Sequence, residues 1–331
     1  MADEVPSERG GASSPDLKAG DSALALVEKS ATTQAPQTVQ PTPNVWTIQA
    51  ILGFGLMTLI WGSFPIAVKL GVNGVPPFLL AGARFSLAGA LLFALLLMRR
   101  ERLLLPRQRL PGVALLAFLI IVVPGASFFW AVQYAPAGTL STIWATSPIF
   151  TALVNIHARN EARGWRLALS MGIGLLGVAL VFIDKLGVGE GQALIAEGIV
   201  LGSAVFYGLG MRVAKSTTDL PLLPLTAWEL LLGGVMLSTA SLLFERGQAV
   251  HWTATNVGSL LYLAIIAACV TYLLTFWLIK QIGAIRTTYN SFLVPGIALV
   301  LANLLLGEPI TLPKLAGMAL VVSGLALLLR S

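Results

Sequence analysis

A chain of 331 residues with 56% apolar and only 11% charged side chains has too few charges to cover a soluble domain, in which about 25% of residues are charged. Its net charge of +6 comes from Lys and Arg spaced between apolar runs, which takes nucleic acid off the list of expected partners and reads instead as a topology signal. With a mean hydropathy of +0.84, the composition predicts an all-α membrane protein.

Residues 1–45 differ from the rest, being rich in Ser, Thr, Ala, Gln and Pro with scattered acids, and they predict a disordered cytoplasmic tail. They show neither the basic start nor the apolar stretch of a secretory signal. Ten segments of about 20 apolar residues then follow, near 47–69, 77–98, 112–134, 137–157, 165–183, 192–211, 222–243, 256–279, 284–306 and 312–329. The connections are short, as between antiparallel neighbours. With the N-terminus inside, 13 Lys and Arg fall in cytoplasmic connections and 4 on the opposite side. That bias predicts a multi-pass plasma or inner membrane protein with both termini cytoplasmic. The single cysteine, Cys269, excludes an internal disulfide, and His157 and His251 offer no metal-ligand spacing. No metal or other cofactor is expected.

The second half repeats the first. Trp130 recurs as Trp277, Pro148 as Pro295, Glu161 as Glu308 and Gly177 as Gly324, each 147 residues later. Toward the start of each half the offset falls to 144, pairing Pro77 with Pro221 and Gly89 with Gly233. That alignment sets Arg84 opposite Trp228 and Phe85 opposite Glu229. Five helices per half make the two units enter the membrane in opposite senses. The predicted architecture is therefore ten transmembrane helices as two inverted five-helix repeats, 46–184 and 185–331. Inverted repeats are characteristic of secondary transporters.

Several polar side chains interrupt the apolar segments. Arg84 lies about seven residues into the second helix, roughly 10 Å from its end. It either snorkels outward or offers its forked donors to a substrate carboxylate. Glu229, in the seventh helix, is either an interfacial acid or a carboxylate able to take up a proton or pair with a substrate ammonium. Glu197, near the start of the sixth helix, reads as interfacial. Trp61, Trp144, Tyr207, Trp228, Tyr289 and Asn290 are candidates to line a substrate path; the alternative is ordinary helix-to-helix packing and hydrogen bonding. Pro148 and Pro295 are repeat-related candidate hinges. Glu161 and Glu308 fall on opposite membrane faces and read as structural, serving helix N-termini. Gly172, Gly174 and Gly177 form a small-residue face on the fifth helix, answered by Gly317 and Gly324 on the tenth.

Trp61-Gly62-Ser63-Phe64 in the first helix, Arg84-Phe85 in the second and Gly307-Glu308-Pro309-Ile310-Thr311 ahead of the last helix together form a set of motifs; on them the chain resembles the drug/metabolite transporter superfamily and, within it, the EamA-type ten-helix transporters. The first-half counterpart of the last block, Arg159-Asn160-Glu161-Ala162-Arg163, keeps the acid and loses the Gly and Pro. The resemblance implies export of amino acids or related small metabolites, with drug-like organic cations as a second theme. The expected partners are a small-molecule substrate, the lipid bilayer and protons as a candidate coupling ion, in a monomer or homodimer. No phosphate-binding Gly-x-x-x-x-Gly-Lys-Ser/Thr loop is present, which argues against direct ATP drive. The competing classes are an intramembrane enzyme, disfavoured by the scattered nucleophiles, and a channel. No catalytic residue is expected.

Overall fold

The computed structural model describes residues 47–101, 103–154, 164–183, 191–217, 219–282, 287 and 290–329. The tail, the loop bearing Glu161, and Tyr289 lie outside the described residues. Among the described residues the regular elements are all helical and number ten. They are α1 (Ile48–Gly71), α2 (Pro77–Met98), α3 (Arg107–Ala131), α4 (Ala137–Val154) and α5 (Gly164–Ile183). The second half supplies α6 (Gly191–Ala214), α7 (Leu222–Phe244), α8, α9 (Asn290–Leu306) and α10 (Leu312–Leu329). Helix α8 runs through Ala254–Leu261, Tyr262–Val270 and Thr271–Ile282. Seven helices are long and apolar enough to cross a bilayer, and α5, α9 and α10 hold shorter apolar stretches. In lipid every backbone polar group needs an internal partner, so uniformly apolar sequence of this length can only be helical.

The principal helix pairings recur when the two halves are exchanged. Helix α2 packs on α7 and α5 on α10, each pair joining equivalents. Contact of α1 with α9 is matched by α6 with α4, α3 with α7 by α8 with α2, and α3 with α6 by α8 with α1. Individual contacts repeat as well. Gly62 lies against Ile297, and Gly208 against Phe150. Gly177 lies against Gly317, and Gly324 against Ser170, whose hydroxyl donates to the Gly324 carbonyl at 2.6 Å. The fold is thus two five-helix units related by an inverted repeat.

The register of α2 and α7 differs from the sequence alignment. Helix α2 is entered through the cap residue Pro76 and α7 through Pro221, an offset of 145. Arg84 therefore stands opposite Glu229, each the eighth residue of its helix, and not opposite Trp228. The loops preceding the two helices differ in length, and one residue of slippage is invisible in uniformly apolar sequence.

The two prolines proposed as hinges behave differently. Helix α4 is interrupted at Ala145 and Thr146, between Ala137–Trp144 and Ser147–Val154, with Pro148 just beyond the break. Helix α9 runs unbroken through Pro295.

Candidate functional site

Arg84 does not snorkel. It is 5% exposed, and its guanidinium carbon sits 4.7 Å from the centre of the Phe64 ring, 4.4 Å from Phe85 and 5.8 Å from Phe129. Its Nε donates to the Leu263 carbonyl at 3.2 Å. Ring faces attract a cation, and more so away from water. That carbonyl belongs to the π-helical stretch Tyr262–Val270 of α8, and α3 carries its own at Phe118–Val122. The two stretches begin 144 residues apart, at equivalent places in the repeat. Such turns displace carbonyls from the regular ladder and recur at functional sites. One residue before Phe64 and Leu263 in sequence, the Ser63 and Tyr262 hydroxyls share a 2.5 Å hydrogen bond between α1 and α8.

Glu229 is buried too, at 8% exposure, so the interfacial reading fails for it. Its carboxylate lies within electrostatic range of the Tyr207 and Tyr272 hydroxyls. Tyr207 meets Trp144 edge to face, ring centres 5.4 Å apart, and Tyr272 accepts from the Thr226 hydroxyl at 2.6 Å. Helices α4, α6, α7 and α8 thus bring Trp144, Tyr207 and Glu229 into one neighbourhood.

Helix α8 is common to both groups. Cys269 lies within electrostatic range of Arg84, and Tyr272 within range of Glu229. Three residues separate Cys269 from Tyr272, less than one turn. Neither Arg84 nor Glu229 joins an ion pair among the described residues, where the pairs are Lys69 with Glu308 and Arg109 with Asp219.

The other predicted residues scatter. Trp61 is 37% exposed and meets the group through Phe64, at 6.1 Å between ring centres. Trp228, though adjacent to Glu229 in sequence, stacks edge-on against Phe93 and donates its indole N–H to the Leu103 carbonyl at 2.9 Å. It holds the connection between α2 and α3 rather than joining Glu229. Asn290 is half-buried at the first residue of α9. Glu197, expected at the interface, is completely buried.

The sequence reading missed a set of polar ties at one end of the bundle. Helices α2 and α4 both begin behind a proline, which has no side-chain acceptor for the first N–H groups. Each borrows a carboxylate from a distant loop. Glu245 accepts from the backbone N–H of Phe78 at 2.8 Å and of Leu79 at 3.0 Å. Glu308 accepts from Ala137 at 2.9 Å and Gly138 at 3.3 Å, and holds Lys69 at 2.8 Å. It therefore caps α4, not the helix that follows it. Gly307 takes the positive φ of 67° that lets the chain leave α9 sharply. Asn256 donates its amide to the Gly71 and Asn73 carbonyls at 3.0 and 2.8 Å. The signal that could have found these ties is the proline start itself, which demands an acceptor from elsewhere.

Comparison with known proteins agrees with this architecture. The model of the EamA-like transporter family matches residues 48–183 and again 194–330. A Bacillus subtilis protein described as uncharacterized transporter YoaV is 28% identical over 84% of this chain and 96% of its own length. A Salmonella typhimurium protein described as a probable amino-acid metabolite efflux pump is 27% identical over 82% of this chain and 91% of its own. An Escherichia coli protein described as uncharacterized inner membrane transporter YedA is 29% identical over 82% of this chain and 87% of its own length. A solved crystal structure shares the fold with a TM-score of 0.59 at 18% identity, covering 85% of this chain and 96% of its own.

Proposed function

Because the chain belongs to the EamA-like transporter family and is a multi-pass membrane transporter, we propose that it exports amino acids or related small metabolites by alternating access. The observation that carries the substrate class is Arg84, a buried guanidinium enclosed by Phe64, Phe85 and Phe129 with no carboxylate paired to it among the described residues. A buried cation without a counter-ion is costly. A substrate carboxylate removes that cost with two parallel charge-assisted hydrogen bonds. The name of the Salmonella typhimurium relative points the same way.

In this reading the two halves rock about the region between Arg84 and Glu229, opening it to each face in turn. Trp144, Tyr207 and Asn290 are proposed contacts for the rest of the substrate, with Trp61 at the rim and Tyr289 beside Asn290 in sequence. Protons are the proposed coupling ion, carried by the Glu229 carboxylate. Both termini are proposed to lie in the cytoplasm, in a monomer or homodimer. A second reading, export of organic cations, draws on Glu229 beside Tyr207 and the Trp144 ring, since an acid among aromatic faces suits a cation.

The test is counterflow in proteoliposomes with labelled amino acids and quaternary ammonium compounds. Saturable exchange of an amino acid, reduced at least tenfold in Arg84→Ala and unchanged in Trp228→Phe, supports the proposal. Exchange of cations alone favours the second reading, and unsaturable flux of both makes the protein a channel.

A further inference from the structure

Arg84 and Glu229 are the same station in the two halves with opposite charge, and the packing of α2 on α7 gives their separation. Gly82 lies against Ser238, Gly234 against Ser86 and Gly89 against Leu231, so the antiparallel pair puts Arg84 level with Met236. Glu229 lies seven residues further along α7, an axial distance of about 10 Å. The close approach at Gly82 and Gly234 keeps the two helices in this register: a Cβ on Gly82 would sit 2.6 Å from the Ser238 backbone nitrogen.

Both residues have a bonded or electrostatic neighbour on α8. Arg84 bonds to the Leu263 carbonyl and lies within electrostatic range of Cys269. Glu229 lies within range of Tyr272, less than one turn beyond Cys269. Helix α8 is therefore a shared wall. Phe64 and Phe129 flank its positive end, and Tyr207 and Tyr272 its negative end.

We infer that Arg84 and Glu229 are the two ends of one site for a zwitterion whose carboxylate and ammonium stand apart, as in an α,ω-amino acid, a basic amino acid or a short peptide. This rests on the transporter reading above and narrows its substrate. In an α-amino acid with an uncharged side chain the ammonium and carboxylate share one carbon, so such a ligand satisfies Arg84 or Glu229 but not both. A ligand with one charge leaves the other buried group unpaired, which is the basis of discrimination in a low-dielectric site. The two stations stand about 10 Å apart along the helix axes, so the ligand needs several carbons between its charges.

Cys269, the single cysteine of the chain, is half-buried against the Ala88 carbonyl, one turn along α2 from Arg84, and is a built-in reporter. The experiment measures protection of Cys269 from N-ethylmaleimide in the purified full-length protein in lipid nanodiscs, read by intact-mass spectrometry. The probes are 6-aminohexanoate, hexanoate and leucine. The expected result is protection by 6-aminohexanoate at concentrations at least tenfold lower than by hexanoate or leucine. Glu229→Gln removes that preference and leaves protection by hexanoate intact, while Glu229→Asp restores part of it. Equal protection by 6-aminohexanoate and hexanoate in the wild-type protein overturns the inference, as does an unchanged preference in Glu229→Gln. The wild-type comparison decides alone if the variant does not fold. Leucine counterflow without the 6-aminohexanoate preference sinks only this inference. Absence of both protection and counterflow for every probe sinks the amino-acid export proposal with it.

Discussion

The Nζ of Lys69 lies 2.8 Å from Oε1 of Glu308, an ion pair joining the last turn of α1 to the loop between α9 and α10. The same carboxylate receives the first N–H groups of α4. One side chain thus binds three elements drawn from both halves of the chain. Glu245 and Asn256 add ties from the second half to the start of α2 and the end of α1. These contacts tie the elements together at that end of the bundle, and any motion that separates them must break these bonds.

Glu308→Ala is expected to lower stability by about 2–3 kcal/mol, since it leaves two backbone donors and an ammonium without their acceptor. Glu308→Gln should cost less than half as much, because its amide oxygen still accepts from Ala137 and Gly138 and only the ion pair is lost. Thermal unfolding of the purified variants checks both. Equal losses in the two would mean that the cap contributes nothing.

The glycines of α5 and α10 divide by what a methyl group would meet. A Cβ on Gly177 would lie 2.6 Å from the Gly317 carbonyl, and one on Gly324 2.7 Å from the Ser170 carbonyl. At Gly172 nothing stands within 4 Å. Gly177→Ala and Gly324→Ala should each destabilise by about 1–3 kcal/mol through overpacking. Gly172→Ala should be neutral or stabilising by up to about 1 kcal/mol from helix propensity. Melting temperatures of the three variants give the answer, and a harmless Gly177→Ala would show that α5 and α10 do not pack this closely.

Phe64 places a ring 4.7 Å from the Arg84 guanidinium and also meets Phe128 and Phe129. Phe64→Leu keeps an apolar side chain but removes the π-face, a loss of about 0.5–2 kcal/mol in holding the cation. Half-saturating substrate concentration in counterflow should rise about 2- to 30-fold, while Phe64→Tyr should stay near the wild-type value. A Leu variant indistinguishable from wild type would remove Phe64 from the site.

Much of this fold can be read from the chain because bilayer physics leaves few choices. Apolar length gives the helices, and the 147-residue offset of Trp130, Pro148 and Gly177 from their partners gives the repeat. The details that escaped depend on contacts between distant residues. Glu308 meets Ala137 across 171 positions, and no local pattern ties a loop acid to another helix's first turn. Glu197 sits near a helix start, where an interfacial reading is natural, yet neighbouring helices cover it completely. Of the candidate site residues, Arg84 and Glu229 stood out as charges amid apolar sequence. Adjacency misled for Trp228, which lies on another face of α7 from the acid beside it.

Helix α4 breaks at Ala145 and Thr146, whereas the matching stretch of α9, 147 residues on, continues helical through Pro295. Two sequences of common descent thus hold one segment in two shapes within a single molecule. Under the rocking proposed above, each shape is a template for the other half in the opposite state: α9 would take the bend that α4 shows now, and α4 would straighten. The molecule carries a sketch of its second conformation in the half that has not yet moved.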